Sequence, residues 1–70
     1  MIREVIRFQD SDNVFVFDEN GGQMPRYQGK YQAVRAKILA RAPKKAKFYH
    51  GTWSDPLGIF TKGEVPRKEW

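Results

Sequence analysis

The arrangement of apolar residues near the start of the chain predicts two short strands. Within Ile2–Phe8, the apolar residues Ile2, Ile6 and Phe8 are expected on one face of an extended segment, with Glu4 as the exception. Turn-forming residues follow at positions 9–13. The next segment, Asn13–Asp18, has the sequence NVFVFD, whose β-branched and aromatic residues favour a strand. Its four consecutive apolar residues indicate burial on both faces, or burial on one face and a partner on the other.

An Asn-Gly pair at positions 20–21 predicts a β-hairpin, because both residues tolerate a positive φ. A two-residue turn there places Phe17 opposite Met24 and starts a third strand at residues 23–28. Pro25 lies within this strand and has no N–H to donate to the ladder. The third strand is therefore expected to be short or to lie at an edge of the sheet.

A helix is predicted from Lys30 to Ala42. Residues in this segment are strong helix formers, and Pro43 follows directly, which ends the helix. Val34 and Ile38 belong to an apolar stripe at helical spacing. We expect this stripe to pack on the sheet.

Two further strands complete the pattern. Residues 46–53 predict a strand, because Phe48, His50 and Thr52 alternate with Lys47, Tyr49 and Trp53. A turn is expected at 54–56, and residues 57–61 predict a last short strand. From about residue 64 the chain is a mainly polar tail. The order βββαββ predicts an α+β fold, a small and mainly antiparallel sheet with one α-helix packed on one face. A chain of 70 residues has room for a single small domain, 1–70.

Composition narrows the class of protein. There is no cysteine, which excludes disulfides and Cys-based metal sites, and 40% hydrophobic residues fit a soluble globular domain. No apolar run approaches the ~20 residues of a membrane span, and the first residues show no signal-peptide pattern. We therefore expect a cytoplasmic protein without a membrane partner. A domain this small, with no covalent staple, also favours a homo-oligomer.

Charge is segregated along the chain. The net charge is +5, yet residues 1–19 carry two cations and five carboxylates. Residues 20–54 carry eight Lys and Arg residues and no acid, and residues 55–70 carry three of each sign. An acid-free stretch of this length favours a positive field that attracts a polyanion. The simpler interpretation is a solvated helix face beside an acidic hairpin.

The basic segment supplies the candidate binding residues. On a helix, Lys30, Lys37 and Arg41 form one stripe, and three lysines follow the helix. The start of the helix has no acidic N-cap residue, so its free N–H groups are expected to form a binding site for one phosphate or carboxylate. The candidate binding residues are Arg26, Lys30, Lys37, Arg41, Lys44, Lys45 and Lys47.

These residues predict a small non-enzymatic binding module for a polyanionic partner, either a nucleic acid or an acidic protein. Aromatic residues that could stack on bases are interleaved with the cations, namely Tyr27, Tyr31, Tyr49 and Trp53. No established nucleic-acid-binding motif is present. The alternative is a homo-oligomeric interaction module, in which acidic residues 10–19 of one copy face basic residues 30–47 of another.

A third hypothesis is a small ribonuclease that uses His50, the only histidine, as general base. Arg41 or Lys47 would then stabilise the charged phosphate. A lone histidine in a strand is more often a packed, hydrogen-bonded residue, so His50 is a weak catalytic candidate. Neither a calcium loop nor a phosphate-binding loop fits the spacing of the aspartates and glycines, and no metal or cofactor is expected.

Overall fold

The computed structural model describes residues 1–53 and 60–70. It contains five strands and one α-helix, which confirms the predicted α+β class with a single helix on a sheet. The elements are β1 (Ile2–Phe8), β2 (Asn13–Asp18), β3 (Gly29–Lys30), α1 (Tyr31–Arg41), β4 (Lys47–Trp53) and β5 (Phe60–Val65). Two short 3-10 turns, Pro25–Tyr27 and Arg67–Glu69, complete the described structure.

The sheet has the strand order β3-β2-β1-β4-β5, with β1 at its centre. All neighbouring strands are antiparallel except β1 and β4, which are parallel. The sheet is therefore mixed but mainly antiparallel, as expected, and the one parallel pairing was not predicted. A parallel neighbour requires a crossover connection, and α1 provides it. As a result, the first residues of β1 and β4 lie side by side, with Glu4 opposite Lys47.

The core lies between α1 and one face of the sheet. Ile2 lies in this core, whereas Ile6 and Phe8 lie on the opposite face, so the prediction that the three share a face is wrong. The reason is a shift in the β1–β2 register between Ile2 and Glu4. Val34 and Ile38 of α1 are buried, as their spacing predicted. No helix in the described residues is long and apolar enough to cross a membrane. The helix begins and ends within one residue of the predicted bounds. The buried core residues from the sheet, the connection before β4 and the end of the chain are Ile2, Val5, Val14, Val16, Ala46, Phe48 and Trp70.

The predicted third strand at residues 23–28 is wrong. Asp18 accepts hydrogen bonds from the N–H groups of Asn20 and Gly22, and the turn places Phe17 opposite Gln23 rather than Met24. Because Pro25 cannot donate to the ladder, the chain leaves the sheet in a 3-10 turn. The main-chain N–H of Val16 then donates a hydrogen bond to the side-chain oxygen of Gln28 at 3.0 Å, instead of to the main chain of a neighbouring strand. On this side of β2, strand pairing in the described residues is limited to the isolated Phe17–Gln23 bridge and the two residues of β3.

The last strand is also different from its prediction at residues 57–61. It spans Phe60–Val65 and so ends four residues later than predicted, while residues 54–59, which include the predicted turn at 54–56 and the predicted start of the strand, lie outside the described residues. Every residue of β5 except the last is exposed, so the strand carries no apolar alternation that the sequence could display. After β5, the segment predicted as a polar tail turns back over the sheet. Its final residue, Trp70, is 1% exposed in the core.

Candidate anion-binding site

The structure brings three of the seven predicted cations together. Lys44 and Lys45 occupy the turn between α1 and β4, which is closed by a hydrogen bond from the N–H of Ala46 to the carbonyl of Pro43. Lys47 begins β4 beside them. These three lysines line an open recess of about 450 Å³ at one end of the sheet, which we call the cationic recess.

Two arginines outside the predicted basic segment complete this recess. Arg3 comes from the start of β1, which lies beside the start of β4 because the two strands are parallel. Arg67 comes from the 3-10 turn after β5. Both residues are distant in sequence from the acid-free segment, and no local pattern marks them. Only the crossover and the returning chain end place them here.

The charge of the cationic recess is strongly positive. Among the described residues, five cationic side chains line it, with Glu64 as the single carboxylate. Glu64 is paired with Lys47 at 3.3 Å, and both side chains are more than half exposed, so this ion pair is well solvated. Within the described residues, Arg3, Lys44 and Lys45 are exposed and have no carboxylate partner.

Arg67 has a different role from the other cations. Its guanidinium donates to the carbonyls of Ala42 and Pro43, just past the end of α1, and lies 5.1 Å from the ring centroid of Phe48. A cation at a helix C-terminus is favourable because the last carbonyls carry partial negative charge. Arg67 therefore stabilises the turn that carries Lys44 and Lys45, and its positive charge adds to that of the cationic recess.

The remaining predicted cations do not line the recess. Lys37 and Arg41 are exposed on α1, one turn apart, and Arg26 is exposed in the first 3-10 turn. The Lys30 ammonium donates to the main-chain oxygen of Ser11 at 3.1 Å. The predicted basic surface is therefore divided between the cationic recess and separate positions on the helix side of the molecule.

The start of α1 is less open to an anion than its sequence suggested. Lys30 is the N-cap and forms no side-chain capping bond, but the N–H of Tyr31 already donates to the main-chain oxygen of Asp12 at 2.9 Å. The Asp12 carboxylate lies 2.7 Å from the guanidinium of Arg7. Because Asp12 is paired with Arg7 in the same chain, it is less available for contact with basic residues 30–47 of a second copy.

His50 lies on the helix side of β4, in register with Arg7 of β1. Its Nδ1 is hydrogen-bonded to the side-chain amide of Gln9 at 3.1 Å, and its Nε2 is buried without a partner among the described residues. Lys47 is three residues earlier in the strand and so extends from the opposite face. The structure thus does not bring Lys47 to His50, and the ribonuclease hypothesis gains no supporting geometry.

The interleaved aromatic residues are not gathered at the recess. Tyr31 packs against Trp70 and under the guanidinium of Arg7, whose carbon lies 3.6 Å from the ring centroid. Trp53, which is 48% exposed, stacks on Phe8 on the sheet face opposite α1, and its main-chain N–H donates a hydrogen bond to the Asp10 carboxylate. Tyr49 lies on the same strand face as Lys47, with the Lys62 ammonium 4.6 Å from its ring centroid, but none of the four interleaved aromatic residues lines the cationic recess.

No group of three or more metal-ligating side chains is found in residues 1–53 and 60–70. Comparisons with protein-family models, curated proteins and solved structures found no match. The functional argument therefore depends on the geometry and charge of the cationic recess alone.

Proposed function

We propose that the protein is a small non-enzymatic binding module that holds a polyanionic partner in the cationic recess. The observation that carries this proposal is the number of cations around one concavity, five against a single carboxylate among the described residues. Three of them, Arg3, Lys44 and Lys45, have no acidic partner in the described part of the chain. Neighbouring cations repel one another, and a bound polyanion relieves that repulsion.

Nucleic acid is the partner class to test first. Its phosphates are closely and regularly spaced, and each phosphate that a Lys or Arg neutralises releases condensed counterions. Binding of this kind is independent of base sequence and needs no aromatic platform beside the cations. An acidic protein segment is the second class, since carboxylates would meet the same lysines and arginines.

The test is binding of a fluorescent single-stranded oligonucleotide across a salt series. The expected result is a linear fall of log K with log salt, with a slope of about −0.7 per phosphate contact for single strands. The double variant Lys44→Ala/Lys45→Ala is expected to reduce the magnitude of this slope by about 1.4, because two contacts are lost.

A matched control is available on α1. The double variant Lys37→Ala/Arg41→Ala also removes two exposed cations, but neither lines the cationic recess. It lowers the net charge equally and is expected to change the slope much less. Equal losses for the two double variants would show attraction by net charge alone and would contradict a site at the recess.

The same variants distinguish the two partner classes. If the oligonucleotide does not bind at low salt, a polyglutamate peptide replaces it in the same titration. Binding of the peptide with dependence on Lys44 and Lys45 would assign an acidic protein partner. Absence of binding by both probes would refute the proposed function.

A further inference from the structure

The outer edge of β5, the last strand of the sheet, is unpaired in the described residues. Five of its six residues are exposed. An unpaired strand edge presents a row of N–H and C=O groups on which another strand can add.

The hydrogen bonds of the sheet identify which groups point outward. The N–H of Gln9 in the β1–β2 turn donates to the carbonyl of Gly51 at 3.0 Å, so the main-chain groups of Gly51 point toward β1. The main-chain N–H and C=O groups of successive strand residues point in opposite directions. The groups of His50 therefore point toward β5, where Gly63 is the partner residue. The residues of β5 whose N–H and C=O groups point outward are Phe60, Lys62 and Glu64.

We infer that β5 pairs with β5 of a second copy of this chain. The two strands run antiparallel, with Lys62 of each copy opposite Glu64 of the other and the two Gly63 residues on the two-fold axis. Each Lys62–Glu64 pair then exchanges both main-chain hydrogen bonds, because these residues carry the outward-pointing groups. The two five-stranded sheets become one continuous sheet with the same faces aligned.

Charge complementarity selects both the partner and the register. In this register two pairs of opposite charge lie directly across the new strand boundary, which is favourable in an antiparallel pair. A shift that places Lys62 opposite Lys62 puts like charges together, and Pro66 ends the edge because it has no N–H. Within each copy Lys62 also lies 3.1 Å from Glu4, and Glu64 lies 3.3 Å from Lys47. The pairing therefore extends a row of alternating charge across the sheet.

Gly63 allows the two strands to approach at the axis. Residues opposite each other at a non-hydrogen-bonded position have the closest Cα atoms in an antiparallel pair, about 4.5 Å. With glycine at this position in both copies, no side chains meet there. A Cβ built at Gly63 meets nothing within 4 Å in one copy, so the space on its side of the sheet is open.

Two measurements on the wild-type protein test this inference. Sedimentation equilibrium is expected to show reversible association toward twice the 8.2 kDa chain mass at protein concentrations up to about 1 mM. Amide hydrogen exchange, followed residue by residue by NMR, is expected to slow at Lys62 and Glu64 as concentration rises. A monomer at every concentration, or dimerisation without slowing at these two amides, would overturn the inference.

A pair of charge variants tests the register. Lys62→Glu places Glu opposite Glu64 of an identical copy, and Glu64→Lys places Lys opposite Lys62. Each variant alone is expected to associate at least about tenfold more weakly than the wild type. An equimolar mixture restores opposite charges at both positions and is expected to form heterodimers of at least wild-type affinity. Failure of the mixture to associate, with both variants folded by circular dichroism, would contradict this register.

Discussion

The buried position of Trp70 leads to a large expected effect on stability. The side chain is 1% exposed and packs edge-to-face against the rings of Tyr31 and Phe48, with centroids 5.2 and 5.0 Å apart. The main-chain oxygen of Trp70 also accepts a hydrogen bond from the Tyr31 hydroxyl at 2.7 Å. Trp70 therefore joins the chain end to α1 and β4.

Replacement of Trp70 by alanine removes the largest fully buried side chain in the described core. Truncation of a buried tryptophan typically costs about 3 to 5 kcal/mol, through lost burial and the cavity that remains. At about 0.05 to 0.15 kcal/mol per residue, a chain of 70 residues has a free energy of unfolding of about 4 to 10 kcal/mol. Trp70→Ala is therefore expected to remove about half of the stability, or to unfold the protein.

The assay is urea denaturation followed by far-UV circular dichroism, because removal of a tryptophan alters the fluorescence signal itself. Trp53→Ala is the matched control, since Trp53 is 48% exposed and contacts mainly Phe8 and Phe60. Its expected cost is about 1 to 2 kcal/mol, the size of one or two aromatic contacts. If Trp70→Ala costs less than Trp53→Ala, the reasoning about the chain end is refuted.

Two further substitutions test the sheet and the first turn. Gly51→Ala is expected to destabilise the protein by about 1 to 3 kcal/mol, because the added Cβ would lie 3.2 Å from a methyl carbon of Ile6. Gly63→Ala adds a Cβ that meets no atom within 4 Å, so in dilute monomer it is expected to change stability by less than about 0.5 kcal/mol. Equal urea midpoints for the two variants would contradict this. Asp12 has a φ of 58° and pairs with Arg7, so Asp12→Ala is expected to cost about 1 to 2 kcal/mol and Asp12→Asn clearly less, since asparagine tolerates that conformation. Equal losses for the asparagine and alanine variants in urea denaturation would show that the ion pair, which both variants remove, dominates over the backbone conformation.

The elements that the sequence predicted well have strong local signals. β1, β2 and α1 were located within a residue at each end, because their apolar spacing, β-branched residues and the proline after the helix act over a few neighbours. β4 was located equally well from its alternation. The α+β class follows from these elements alone.

The candidate site could be predicted only in part. The acid-free segment indicated Lys44, Lys45 and Lys47, because charge segregation is visible in the sequence. Arg3 and Arg67 could not be found in this way, since each lies outside the segment and reaches the recess through the fold. Conversely, Lys37 and Arg41 have the same local signal as the recess lysines but lie apart from it.

The sequence alone determined where the main strands and the helix lie, which helix face is buried and which part of the chain is basic. These properties depend on neighbours within one element, so they are present before the chain folds. The tertiary structure decided the rest: the parallel pairing of β1 and β4, the exposed edge of β5, the burial of Trp70 and the assembly of the cationic recess. Each of these depends on contacts between residues that are far apart along the chain, and such contacts form only when the elements pack together.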